Sequence, residues 1–222
     1  ASFEGTKFVG ETIKKHYKNI IVVCGGVHMT GLANRRSVMT LYCDAADPIG
    51  HGVRIVLAEK DINVDINYVD EENRPEDLND LNPYDSILTL IDRELVIYDA
   101  QIMMEYLDER YPHPPLMPVD PVSRATNRQF RYRVIRDLYG ILEDMVSANE
   151  IAAANARKTI RDNLLAIAPI FSQHEFFMSN EYSLVDCCLS PLLWRLQFYG
   201  VKLTAQAKPI LKYAERIFAR DG

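Results

Sequence analysis

Along this chain of 222 residues, apolar positions alternate in some stretches and recur every three or four in others, and the switches mark out the elements. Ser37 to Cys43 alternates as a strand does. Asp47-Pro48 then opens a helix over Ile49 to Lys60, with Val53, Val56 and Leu57 on one face. Val64 to Val69 reads as a second strand, and the polar run from Glu71 to Asn82 as a short helix with Pro75 in its first turn. Thr89–Ile91 and Glu94–Ile97 form a hairpin around a tight Asp92-Arg93 turn. Asp99 caps a further helix, which buries Ile102, Met103, Tyr106 and Leu107 and ends near Arg110.

Beyond a proline-rich segment the period is helical throughout. Val134, Leu138, Ile141 and Met145 make one stripe of a long helix that starts near Val122. Ala156, Ile160, Leu164, Ile167 and Phe171 line the next. Ser183-Leu184-Val185-Asp186 opens an apolar helix through Trp194 with a capping-box pattern, and Lys208 to Arg220 is amphipathic. The order predicts an α/β plus all-α protein: a thioredoxin-like βαβαββα domain over 33–111, a linker over 112–121 and an all-helical domain over 122–222. Residues 1–32 do not match the pattern of the remaining chain. Gly25-Gly26 stops the apolar run Ile20–Val23, Val27-His28-Met29 looks like a junction, and a leader or tag-like segment is expected there.

Charge adds a division that the periodicity lacks. The net charge is −6, yet residues 33–119 carry 7 Lys+Arg against 18 Asp+Glu, and residues 120–222 carry 14 against 11. So acidic a first half repels phosphates and attracts a basic protein surface. No apolar run approaches the roughly 18 residues of a membrane span. The cysteines Cys24, Cys43, Cys187 and Cys188 have neither metal spacing nor a disulfide framework, which points to reduced thiols in the cytoplasm. The histidines are too scattered for a metal site, and no cofactor motif is present. Arg124, Arg128, Arg131, Arg133 and Arg136 suggest nucleic acid at first. Interleaved acids such as Asp120 and Asp137 favour pairing with the acidic half instead.

The order of elements resembles the glutathione transferase fold, in which a Ser-Val-Pro-Thr-Leu type segment enters the third strand through a cis proline. Here the segment is Ser86-Ile87-Leu88-Thr89-Leu90, and a cis peptide before a non-proline costs about 3 kcal/mol. That fold also holds the γ-glutamyl end of glutathione with an acidic residue followed by Ser. In this chain the pair is Asp99-Ala100. Candidate thiol-activating groups are Tyr42, Cys43 and His51. Asp44 and Asp47 stand beside Cys43 and disfavour its thiolate. The resemblance thus implies a kept scaffold and a lost enzymatic site. No catalytic residue is expected; the alternative is a glutathione-dependent transferase or thiol transferase acting through Cys43 or Tyr42.

Tyr111-Pro112-His113-Pro114-Pro115-Leu116-Met117-Pro118 reads from its residues alone as a rigid linker, since prolines fix φ. Residues 35–41, 53–60, 104–118, 164–169 and 183–189 resemble the bacterial stringent starvation protein A family. This resemblance covers about residues 33–221. It implies a glutathione transferase fold without transferase activity, in homodimers that bind RNA polymerase holoenzyme and regulate transcription in stationary phase and starvation. A heterodimer with a related protein is the variant of that assembly. The resemblance also makes a partner-binding surface of Tyr111, Pro112, His113, Pro114 and Pro115, with no direct sequence-specific nucleic acid binding. The chain departs from the family at Leu88, where a proline is usual, and in the residues before Met29.

Overall fold

Met39, Leu41 and Cys43 occupy one face of strand β1 (Met39–Cys43) and are buried, as the alternation predicts. The structure, a computed structural model, describes residues 39–220 apart from Glu71, Asp85 and Ala148. The expected leader over 1–32, Cys24 within it, and Ser37 and Val38 lie outside the described residues. Helix α1 (Pro48–Glu59) follows, then β2 (Asp65–Tyr68), the short α2 (Glu76–Leu81), β3 (Thr89–Asp92), β4 (Leu95–Ile97) and α3 (Ala100–Arg110). The sheet order is β2-β1-β3-β4. β1 runs parallel to β2 and antiparallel to β3, so Leu41 lies between Ile66 and Leu90.

Local chemistry explains the boundaries. Asp47 accepts from the amides of Ile49 and Gly50 at 2.9 and 2.7 Å, and Asp99 from those of Gln101 and Ile102 at 2.9 and 3.0 Å. The hairpin loop is Arg93-Glu94, one residue later than expected. Asp92 stays in the ladder opposite Leu95, and Arg93 takes the left-handed conformation with φ 60°. The buried face of α3 is also rotated from the expected one. Ala100, Met103, Met104 and Leu107 are buried, whereas Ile102 is 59% exposed and Tyr106 is half-buried.

The second half is helical as predicted, but its first long helix is broken. After α4 (Pro121–Arg133), Val134–Leu138 is π-helical and Tyr139–Ile141 forms a 3-10 turn before the short α5 (Leu142–Met145). The wider turn brings Tyr139 inward, where its hydroxyl donates to the Cys188 carbonyl at 2.7 Å. Helices α6 (Glu150–Ile167), α7 (Leu184–Arg195) and α8 (Lys208–Phe218) complete the unit. α7 is buried almost all round and is the post on which both halves rest. Gly52 lets α1 lie directly on it. A Cβ there would stand 2.9 Å from Met104 Cε and 3.2 Å from the Cys187 carbonyl oxygen. That carbonyl is the one to which Pro191, inside α7, gives no N–H.

The box at the head of α7 is present: the Ser183 amide donates to Asp186 at 2.8 Å. The same carboxylate also takes the Ser183 hydroxyl at 3.1 Å, the Phe177 amide at 2.9 Å and the Tyr213 hydroxyl at 2.7 Å. A wholly buried Asp186 thus joins the preceding loop and α8 to α7.

Candidate functional site

The expected thiol site lies where β1 meets the start of α1. Cys43 is fully buried, and burial is the main reason its thiol is pushed up to about 11. Arg54 pulls it down, while Asp47 and Asp44, the causes singled out in the sequence, add smaller upward pushes. The first free amides of α1, which would attract an anion, already hold the Asp47 carboxylate. Leu88 packs close to this helix start: a Cβ on Gly50 would lie 3.4 Å from Leu88 Cδ1 and 3.4 Å from Cys43 Cβ. The cis bond among the described residues is His113–Pro114, so Ile87–Leu88 is trans. Ala100 is buried and brings no hydroxyl.

Between the halves lies a crevice of about 160 Å³ lined by Pro48, Ile49, Gln101, Met104, Tyr139 and Cys188, among others. That space includes open solvent, and the crevice itself has no room for a water molecule. Gln101, at the head of α3, is committed to its neighbours: its carbonyl oxygen accepts from Arg131 at 2.8 Å. No group of three or more His, Cys, Asp or Glu side chains able to hold a metal occurs among the described residues.

His51 is placed by the structure in the junction rather than in a thiol site. Its ring meets Trp194 edge-on at 5.8 Å, and its Nδ1 accepts from Arg195 Nη1 at 2.8 Å. A guanidinium only donates, so His51 Nδ1 carries no proton. Burial, then Arg195 and Arg54, lowers its pKa to about 3 from the ordinary 6.5. The unfolded chain therefore takes up a proton below about pH 6.5 that the folded chain refuses, and stability falls with pH from there down towards 3. In thermal melts between pH 7.5 and 4.5, the wild type is expected to lose more stability than His51→Gln; parallel losses would refute this assignment.

The arginines of α4 pair within the molecule. Arg124 reaches Glu109 at 3.3 Å, Arg128 reaches Glu105 at 2.7 Å, and the buried Arg131 also holds Glu105 together with Asn127. Burial alone would raise the Glu105 pKa, but hydrogen bonds from Arg128 and Arg131 outweigh it and lower it. Arg133 pairs with Asp137, and Arg136 donates to the Tyr132 hydroxyl. Arg124, Arg128 and Arg131 thus tie α4 to α3, whereas the Arg133 and Arg136 contacts are exposed and stay within their own helical stretch.

The proline-rich segment is different in kind. Pro112, His113, Pro114 and Pro115 are all exposed, and Tyr111 is half-buried. Leu116 and Met117 are buried behind them, and the Leu116 carbonyl accepts from the Leu184 amide at 2.9 Å. Beneath the turn sits an ion pair that was not singled out in the sequence: Lys60 Nζ lies 2.6 Å from Asp108 Oδ1, with the lysine side chain 0% exposed. A signal was there. Lys60 continues the buried stripe Val53, Val56, Leu57, and Asp108 continues that of Met104 and Leu107. Two opposite charges on two buried stripes call for each other.

Comparison with known proteins agrees with this architecture. The family model "Glutathione S-transferase, N-terminal domain" matches residues 48–110, and "Glutathione S-transferase, C-terminal domain" matches residues 114–221. A stringent starvation protein A homolog of Histophilus somni is 52% identical over 87% of this chain and 92% of its own length. Another, from Pasteurella multocida, is 50% identical with the same coverage. Among solved structures, a theta class glutathione S-transferase of Xanthomonas axonopodis pv. citri superposes with a TM-score of 0.76 at 16% identity, over 84% of this chain and 95% of that one. Sharing 50–52% of the positions matched over 87% of its length with these relatives, and carrying both domain models, the chain belongs to the stringent starvation protein A family, built on the glutathione S-transferase fold.

Proposed function

We propose that this protein is a non-enzymatic transcription regulator of the cytoplasm, which binds RNA polymerase holoenzyme under starvation and stationary-phase stress. The observation that carries the reading is the turn from Tyr111 to Pro115: exposed outward, fixed inward, and stiffened by prolines before any partner arrives. A pre-ordered edge loses little entropy on docking. The closed crevice supports the same reading against a transferase acting through Cys43 or Tyr42, since a thiol with a pKa of about 11 holds almost no thiolate at neutral pH.

The protein acts as a homodimer in this reading, or paired with a related chain. Tyr84 and Tyr98, both exposed and with their rings 5.3 Å apart, suit such a contact. The excess of 11 negative charges over residues 33–119 steers a basic polymerase surface towards the first half.

The test is a polymerase pull-down with Pro112→Ala/His113→Ala/Pro114→Ala beside its melting curve. Stability is expected to fall by only about 1–2 kcal/mol, through a freer unfolded chain, while binding drops more. Binding of the wild type is expected to weaken with salt, because charge steering is screened within about 10 Å at 0.1 M. A variant that melts normally and binds at full strength would return the turn to the role of a linker.

A further inference from the structure

The turn has little means of closing on itself. Pro112, Pro114, Pro115 and Pro118 bring no N–H, so its carbonyls need donors from elsewhere. One side chain supplies them for Tyr111 and Pro114. The ammonium of Lys60 has three N–H groups, and three acceptors surround it: Asp108 Oδ1 at 2.6 Å, the Tyr111 carbonyl at 2.7 Å and the Pro114 carbonyl at 2.5 Å. The two carbonyls flank Pro112 and His113. Asp108 Oδ1 reaches the far side of the turn as well, accepting from the Leu116 amide at 2.8 Å. A single buried charge pair thus grips residues 111, 114 and 116 from within, while 112–115 face outward.

We propose that Lys60 is the positioning residue of the docking turn: its buried ammonium, steadied by Asp108, sets the spacing of the Tyr111 and Pro114 carbonyls and hence the outward shape of Pro112, His113 and Pro114. This rests on the docking reading above. A compact ammonium suits three acceptors on different sides, whereas the planar fork of arginine does not. The pair also belongs wholly to the first unit, since Lys60 ends α1 and Asp108 lies in α3. The carbonyls of the turn are therefore held by that unit, and the helical unit holds its exit through the Leu184 amide.

Lys60→Met alone leaves Asp108 buried without its cation, so the decisive variant is Lys60→Met/Asp108→Asn. It removes both charges together and keeps an acceptor for the Leu116 amide; loss of both partners is far milder than loss of one. Three quantities are read on the full chain: the melt, amide exchange over 111–117, and polymerase binding. The expected result is a cooperative melt, faster exchange confined to 111–117, and binding weaker by about tenfold, or about 1.4 kcal/mol. Should the double variant fail to melt cooperatively, Lys60→Arg carries the same expectations for exchange and binding. Unchanged exchange overturns the inference, and so does a loosened turn that binds polymerase at full strength. Full-strength binding by the triple-alanine variant sinks the docking reading instead, and amide exchange then decides by itself whether Lys60 shapes the turn.

Discussion

Asp186→Ala is expected to destabilise the protein by about 4 kcal/mol, which in a domain of this size lowers Tm by about 10 °C. The change strips the acceptor from four donors at once: the amides of Ser183 and Phe177 and the hydroxyls of Ser183 and Tyr213. Each buried polar group left without a partner costs about 1–3 kcal/mol, and water entering the vacated space recovers part of the sum. The box is also the N-terminal cap of the helix that carries both halves, so the loss is not local. Asp186→Asn keeps the size but turns an amide donor towards donors, and is expected to recover less than half of the loss. Urea melts of the two variants beside the wild type decide the matter. A loss below about 1 kcal/mol for Asp186→Ala would mean that other contacts hold α7 in place.

Gly52→Leu is expected to cost about 3 kcal/mol, because α1 cannot stay on α7 with a side chain between them. Overpacking costs about 1–3 kcal/mol where the neighbours yield, and here one neighbour is the Cys187 carbonyl, a backbone atom. Gly52→Ala provides the graded control. In an exposed helix that exchange stabilises by about 1 kcal/mol. At this junction the 3.2 Å approach to Cys187 opposes the gain, and a small net loss is expected. A clear gain in stability from Gly52→Ala would show that α1 can retreat from α7 at little cost.

Most of the fold was legible because its signals are local. Asp47, Asp99 and Ser183 announce their helices as caps, and the stripes of α1 and α6 have the helical period. The features that escaped depend on contacts between elements. Ile102 fits the apolar period of α3 as well as Met104 does, and only packing of that helix against α1, with the Met104 sulfur 3.6 Å from Cys188 Sγ of α7, selects Met104. The π-helical stretch at 134–138 breaks no propensity rule visible in its residues. It precedes Tyr139, whose buried hydroxyl donates to the Cys188 carbonyl of α7, a contact between distant elements. At the thiol site, Leu88 and Ala100 stand out as substitutions in the motif, yet the depth of Cys43 and the commitment of Asp47 to its own helix needed the structure. At the turn, the prolines were plain and their anchor was not. Lys60 and Asp108 are separated by 48 positions, and nothing short of the packed helices brings them together.

One helix separates the two places that matter. Asp47 and the buried Cys43 stand at the head of α1, and Lys60 with the turn proposed for docking stands at its foot, roughly 18 Å away along 12 residues. A rigid rod between them lets either end be redesigned without disturbing the other. Reopening the pocket, with proline at 88 and serine at 100, would leave the turn untouched. The same frame is thus a place to ask whether catalysis and recruitment can coexist in one molecule.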